Sequence, residues 1–233
     1  MLTAAGVGDQ TLEINKLAVK AAQDAREKMN RPDVLIAGSV SHAVPIKPGT
    51  STSDRSQMPS DSQMLDAFSE LATIHKDGGC DLILLEMMFD PRRVDLATKA
   101  AIETGLPTWS GLSAKRGSNG EVLSFVQDMD VSFDELLDVA LSHSIDAAGI
   151  MHTPSNVTSD ALLLLKERYS GTLTAYPDSG YFAAPHWQFK DIIPPAQLVE
   201  FGRDWVSEGV QVLGGCCGLS PEHIAALAEE FGN

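Results

Sequence analysis

The stretch Val210-Gln-Val-Leu-Gly-Gly-Cys-Cys-Gly-Leu-Ser-Pro-Glu-His-Ile224 holds the residues best suited to chemistry in this sequence. An apolar strand runs into two glycines, two adjacent cysteines and a third glycine, and a helix is expected to start at Ser220. Glycine lets the backbone take positive φ or come close to a bound atom. The cysteines sit just ahead of a helix N-terminus, whose partial positive charge favours thiolate, the form of cysteine that binds metal. Two sulfurs leave a tetrahedral zinc short of ligands. A closed structural site needs two further protein groups, whereas a catalytic site needs one and keeps a position open.

His152 is the best third ligand. It ends the apolar run Ala147-Ala-Gly-Ile-Met-His152 and so reaches the same strand-end rim as Cys216 and Cys217. Cys80 precedes Asp81 at the start of its strand and belongs at the opposite end. We therefore expect Zn2+ on His152, Cys216 and Cys217, with the open position suited to a substrate thiol. Glu86 ends another strand and is placed to receive the ammonium group of an amino-acid substrate. Asp178, after Leu173-Thr-Ala-Tyr-Pro, is placed to do the same or to orient the loop around Tyr181. Other readings exist: the cysteines as small buried residues, Gly214-Gly215 as a phosphate cradle, His152 as a hydrogen-bonded rim residue, Glu86 as an ion-pair partner. The aromatics Tyr181, Phe182, Trp187 and Phe189 read as loop packing or as faces for an onium cation.

Six short, near-continuously apolar runs position these groups: 34–40, 81–87, 107–113, 147–152, 173–176 and 210–215. Strands covered on both faces have this composition. Helices lie between them. Ser60 with Gln63 and Ser132 with Glu135 have capping-box spacing, Ser220-Pro221 places a cap before a first-turn proline, and Gly105, Gly171 and Gly209 fall where helices should stop. A further helix is expected from Thr11 to Met29. Strand and helix alternate, which predicts an α/β fold with a parallel sheet, most specifically a TIM (β/α)8-type barrel. The segments His42 to Pro59 and Asp178 to Pro195 exceed what a connector needs and follow strand C-terminal ends, the ligand-binding face of such a barrel.

The chain has 233 residues, 43% of them hydrophobic and 21% charged, enough for one domain over residues 1–233. A formal net charge of −15 repels phosphate backbones and anionic headgroups, so no nucleic-acid or membrane partner is expected. No run approaches the roughly 20 apolar residues of a membrane helix, and the first residues do not form a signal peptide. A cytoplasmic protein is expected, in which three cysteines form no disulfide framework.

Gly-Gly-Cys-Cys-Gly at 214–218, followed by Ser-Pro-Glu-His-Ile at 220–224, resembles the C-terminal zinc motif of the homocysteine S-methyltransferase family. Leu-Leu-Glu at 84–86 resembles that family's Glu-Thr strand end, and Tyr-Pro-Asp-Ser-Gly at 176–180 its Tyr-Pro-Asn-Ser-Gly. Ala-Gly-Ile-Met-His-Thr-Pro at 148–154 resembles its Gly-(Val/Ile)-Asn-Cys-Thr-(Ser)-Pro. The resemblance implies a TIM barrel in which zinc holds a homocysteine thiolate that attacks the methyl group of an onium donor. It matches Cys216 and Cys217 to the paired zinc cysteines, His152 to the third cysteine, and Glu86 to the glutamate that binds the amino group. The partners it implies are a small-molecule thiol and a methyl donor. Histidine at 152 removes one negative charge from the ligand set, Met151 and Met87 replace Asn and Thr, and the family's N-terminal Asp-Gly-Gly strand has no counterpart. Six visible strands make the expected barrel incomplete, N-terminally truncated relative to the family. Its open edges call for a cover, such as a homo-oligomer. The alternatives to a methyltransferase are a non-catalytic metal- or amino-acid-binding member of the family and a different barrel enzyme that binds phosphate after the last strand.

Overall fold

The computed structural model describes residues 6–41, 54–183 and 188–232. Strands β1 (Ala37–Ser41), β2 (Leu82–Met88) and β3 (Thr108–Leu112) are followed by a hairpin of β4 (Ala114–Arg116) and β5 (Val122–Ser124). Next come β6 (Ala147–Pro154) and β7 (Thr172–Asp178), a second hairpin of β8 (Tyr181–Ala183) and β9 (Gln188–Lys190), and finally β10 (Val210–Leu213). The helices are α1 (Thr11–Lys28), α2 (Asp61–Gly78), α3 (Pro91–Glu103), α4 (Phe133–Ala140), α5 (Ser155–Lys166), α6 (Pro195–Ser207) and α7 (Pro221–Phe231).

Six strands form one parallel sheet in the order β1-β2-β3-β6-β7-β10. That order never reverses, so successive right-handed crossovers place their helices on one side, as in a barrel and unlike a doubly wound sheet. The sheet is open: among the described residues β1 and β10 each pair with one neighbour only. Every expected strand is present. β1 begins three residues later than its apolar run because Val34 and Leu35 are exposed, and β10 ends at Leu213, before the glycines. The two hairpins were not anticipated.

The core is built from the sheet and the helix faces packed on it, with Ile83, Leu85, Leu112, Ile150, Leu165 and Trp205 buried at its centre. Helix boundaries follow local chemistry. Ser60 forms a full capping box with Gln63, and Ser220 forms one with His223. Ser132 caps α4 by accepting from Asp134 N, without engaging Glu135. Gly105 and Gly209 have positive φ just past α3 and α6, whereas α5 already ends at Lys166, well before Gly171. None of the described helices is long and apolar enough to cross a membrane. Residues 42–53, Pro185, His186 and Trp187 lie outside the described residues.

Candidate metal centre

The parallel sheet sends the C-terminal ends of β6, β7 and β10 to one rim, where His152, Asp178, Cys216 and Cys217 meet. Cys216 Sγ lies 3.6 Å from His152 Nδ1 and 3.8 Å from Cys217 Sγ. The three ligand atoms are all within 4.8 Å of one another. Zinc–sulfur bonds of about 2.3 Å and zinc–nitrogen bonds of about 2.0–2.1 Å, at tetrahedral angles, give S···S and S···N edges of about 3.8 and 3.6 Å. The Cys216–His152 and Cys216–Cys217 edges therefore match a tetrahedral ion, and the donor chemistry suits zinc, with one vertex left for another ligand.

Local backbone features aim these side chains. β6 and β7 lose register between Met151 and Pro154, and His152 takes φ +47°, the signature of a bulge that re-aims a side chain. The bulge is tied down from beneath: Ser113 Oγ and Thr153 Oγ1 both donate to the Met151 carbonyl, at 2.7 and 3.0 Å, and Ala114 N donates to Thr153 Oγ1. The cysteine turn is stitched to the end of β7. Cys216 N donates to Pro177 O at 2.8 Å, and Ser179 N donates to Cys217 O at 3.0 Å. Gly214 packs against the Tyr176 ring, and Gly218, at φ +79°, packs against the Ser179 carbonyl, where a Cβ would lie 2.0 Å from the oxygen.

The pocket is crowded with negative charge. The Cys216 thiol donates to Cys217, and this hydrogen bond together with His152 lowers the Cys217 thiol. The same hydrogen bond and burial push the Cys216 thiol up. Burial raises the Asp178 carboxyl to about 6 although nearby His152 acts in the opposite direction. Burial works to lower His152, but Cys217 and Asp178 outweigh it and hold the imidazole above its ordinary value. A divalent cation relieves this crowding directly.

Asp178 Oδ2 is 3.9 Å from His152 Nδ1, which puts Asp178 beside the three candidate ligands. Glu86 is at the end of β2, where its Oε2 accepts a hydrogen bond from Ser39 Oγ. The Tyr176 phenol is pushed up by burial and then by the charge on Glu86. Phe125 meets His152 edge-on at 5.0 Å between ring centroids, and Phe89 meets Phe125 at 5.9 Å. This aromatic wall was not foreseen in the sequence, because Phe125 arrives through the β4–β5 hairpin. Of the aromatics that were, Tyr181 is exposed, and the Phe182 and Trp187 side chains lie outside the described residues.

The backbone amides of Gly214, Cys216, Leu219 and Ser220 all donate inside the protein, to Ala175 O, Pro177 O, Cys216 O and His223 Nδ1.

A sequence profile described as homocysteine S-methyltransferase matches residues 1–231. The chain belongs to this family. Within it, a selenocysteine methyltransferase of Astragalus bisulcatus is 30% identical over 88% of the chain and 60% of its own length. Homocysteine S-methyltransferase 2 of Arabidopsis thaliana is 26% identical over 94% of the chain and 66% of its own length. The chain thus spans about three fifths to two thirds of these curated relatives. The metallated form of the homocysteine methyltransferase MmuM from Escherichia coli superposes with a TM-score of 0.73 at 20% identity, covering 98% of this chain and 74% of that one. The fold is shared with that protein, and the open six-stranded sheet is an incomplete barrel of the same type.

Proposed function

We propose that the protein moves a methyl group from an onium-type donor to the thiol of homocysteine or a similar thiol, with Zn2+ held by His152, Cys216 and Cys217. The observation that carries this reading is the placing of Cys216 Sγ 3.6 Å from the His152 nitrogen and 3.8 Å from the Cys217 sulfur, at the strand-end rim of a sheet belonging to this family. Zinc bound there supplies a Lewis acid that favours the deprotonated form of an incoming thiol at neutral pH.

The protein's own residues supply position and shielding. Glu86 accepts hydrogen bonds from the substrate ammonium, fixing the amino acid by the end opposite its sulfur. Phe125 and Phe89 exclude water from one side of His152 and offer aromatic edges and faces to the donor. Asp178 balances positive charge beside His152. The transfer is a displacement at carbon. The substrate sulfur bonds to the methyl group, the methyl–onium bond breaks, and its electron pair leaves with the neutralised donor while the thiol proton passes to solvent. Holding both partners in line supplies most of the acceleration.

Metal analysis of the purified protein tests the ligand set. About one zinc per chain is expected, falling to a small fraction in Cys216→Ser. Equal metal in both proteins, or none in either, overturns the assignment. Calorimetry with homocysteine beside a methyl-transfer assay separates a catalyst from a protein that only binds, which gives heat without product.

A further inference from the structure

Ser39 lies on β1, the edge strand of the sheet, in register with Leu84 of β2, and Ser41 stands opposite Glu86. The Ser39 hydroxyl donates to Glu86 Oε2. Among the described residues, Glu86 Oε1 accepts no hydrogen bond. Because an edge strand is held by one ladder only, a second restraint on β1 decides where that hydroxyl points.

The restraint comes from behind the sheet. His75, near the C-terminal end of α2 and 7% exposed, places Nε2 2.9 Å from the Ser39 carbonyl oxygen. A carbonyl only accepts, so Nε2 carries the hydrogen and Nδ1 is bare. Nδ1 has no partner among the described residues. Burial favours this neutral form. His75 is itself fixed, since its carbonyl accepts from Cys80 N at 3.0 Å and from the Gly79 cap. The close approach depends on Gly38, where a Cβ would fall 2.5 Å from His75 Cβ. On the other side of the contact, Met87 takes φ +58° where β2 and β3 lose register, a second bulge that turns Glu86 toward β1.

We propose that Ser39, braced by His75, is a positioning residue for Glu86: it holds one carboxylate oxygen and presents the other to the ammonium group of the substrate. This rests on the reading of Glu86 as the ammonium anchor. It assigns to β1 a part in recognising amino-bearing thiols over thiols of the same length that lack the amine.

The test compares homocysteine with 4-mercaptobutanoate by calorimetry on zinc-loaded protein, for the wild type, Ser39→Ala, Ser39→Thr and Glu86→Gln. Ser39→Ala is expected to weaken homocysteine about three- to tenfold, the scale of one hydrogen bond to a charged group, and to leave 4-mercaptobutanoate unchanged. Ser39→Thr restores the preference, because the hydroxyl returns. Equal weakening of both thiols in Ser39→Ala, or weakening of neither, overturns the inference while Glu86→Gln still abolishes the preference. If Glu86→Gln leaves the preference intact, the anchor reading of Glu86 fails, and the inference fails with it.

Discussion

His152 shows how much of a candidate metal site depends on residues outside its donor set. Its φ of +47° lies where an L-residue with a Cβ is disfavoured by about 1 kcal/mol or more, so the surroundings must hold it there. Thr153, fully buried, does this through two hydrogen bonds: it donates to Met151 O and accepts from Ala114 N. Valine has nearly the same shape and lacks both bonds. Thr153→Val leaves the Ala114 amide buried and unpaired, at a cost of about 1–3 kcal/mol. Chemical denaturation is expected to register that loss, and competition against a chromophoric chelator to register weaker zinc binding, although no ligand has changed. Unchanged zinc affinity in a destabilised Thr153→Val protein would show that the bulge does not depend on this clamp. His152 itself was recognisable in the sequence as the end of an apolar run. The clamp was not, because its partners, Ser113 and Ala114 at the start of the β4–β5 hairpin, are distant in the chain.

At the scale of elements, the apolar runs of the sequence map onto all six strands of the sheet, since a strand buried on both faces writes itself as a continuous hydrophobic run. The edges of those runs were less legible. Val34 and Leu35 belong to the apolar run before β1 yet stay exposed, because edge position and helix packing decide where pairing starts. The strands of the β4–β5 and β8–β9 hairpins are only three residues each, too short to write a readable alternation, although Asn119-Gly120 marks a turn between β4 and β5. Ser39 and His75 left no sequence signal beyond Gly38, a glycine inside a strand. The turn after β10 was the most legible element, and its glycines are not equivalent. Gly209 has φ +103° with open space around it, so Gly209→Ala carries only conformational strain, about 1–2 kcal/mol of stability, and should leave zinc affinity intact. Gly218→Ala adds a Cβ 2.0 Å from the Ser179 carbonyl, a backbone atom that cannot swing aside. It must separate the cysteine turn from β7, and a loss of zinc affinity greater than about tenfold is expected. Matching zinc affinities in the two variants would mean that the turn relaxes without moving Cys216 or Cys217.

For the molecule as a whole, an attractive and a repulsive term oppose each other at the open edges of the sheet. β10 presents Val-Gln-Val-Leu and β1 presents Ala-Gly-Ser-Val-Ser, and neither carries the charge or proline that usually guards a free strand. A cavity of about 450 Å³ beside β10 is lined by Val206, Val212, Leu213, Ile224 and Phe231, and Leu12 and Leu17 are exposed on α1. Among the described residues neither edge has a second partner strand, so β1 of one copy can continue the sheet from β10 of another in the same parallel sense. Against this stands a net charge of −15 on every copy. Mutual repulsion is screened over about 10 Å at 0.1 M salt and over about 3 Å at 1 M, whereas strand pairing and apolar burial are not weakened by salt. Self-association should therefore rise with ionic strength, opposite to the behaviour of an interface made of ion pairs. Sedimentation velocity across a salt series is expected to show a growing population above the 24.9 kDa chain. Val212→Lys, which places a charge on the β10 edge, should reduce that population at every salt concentration. A single 24.9 kDa species throughout the series, or an oligomer indifferent to Val212→Lys, would mean that these edges do not meet in solution.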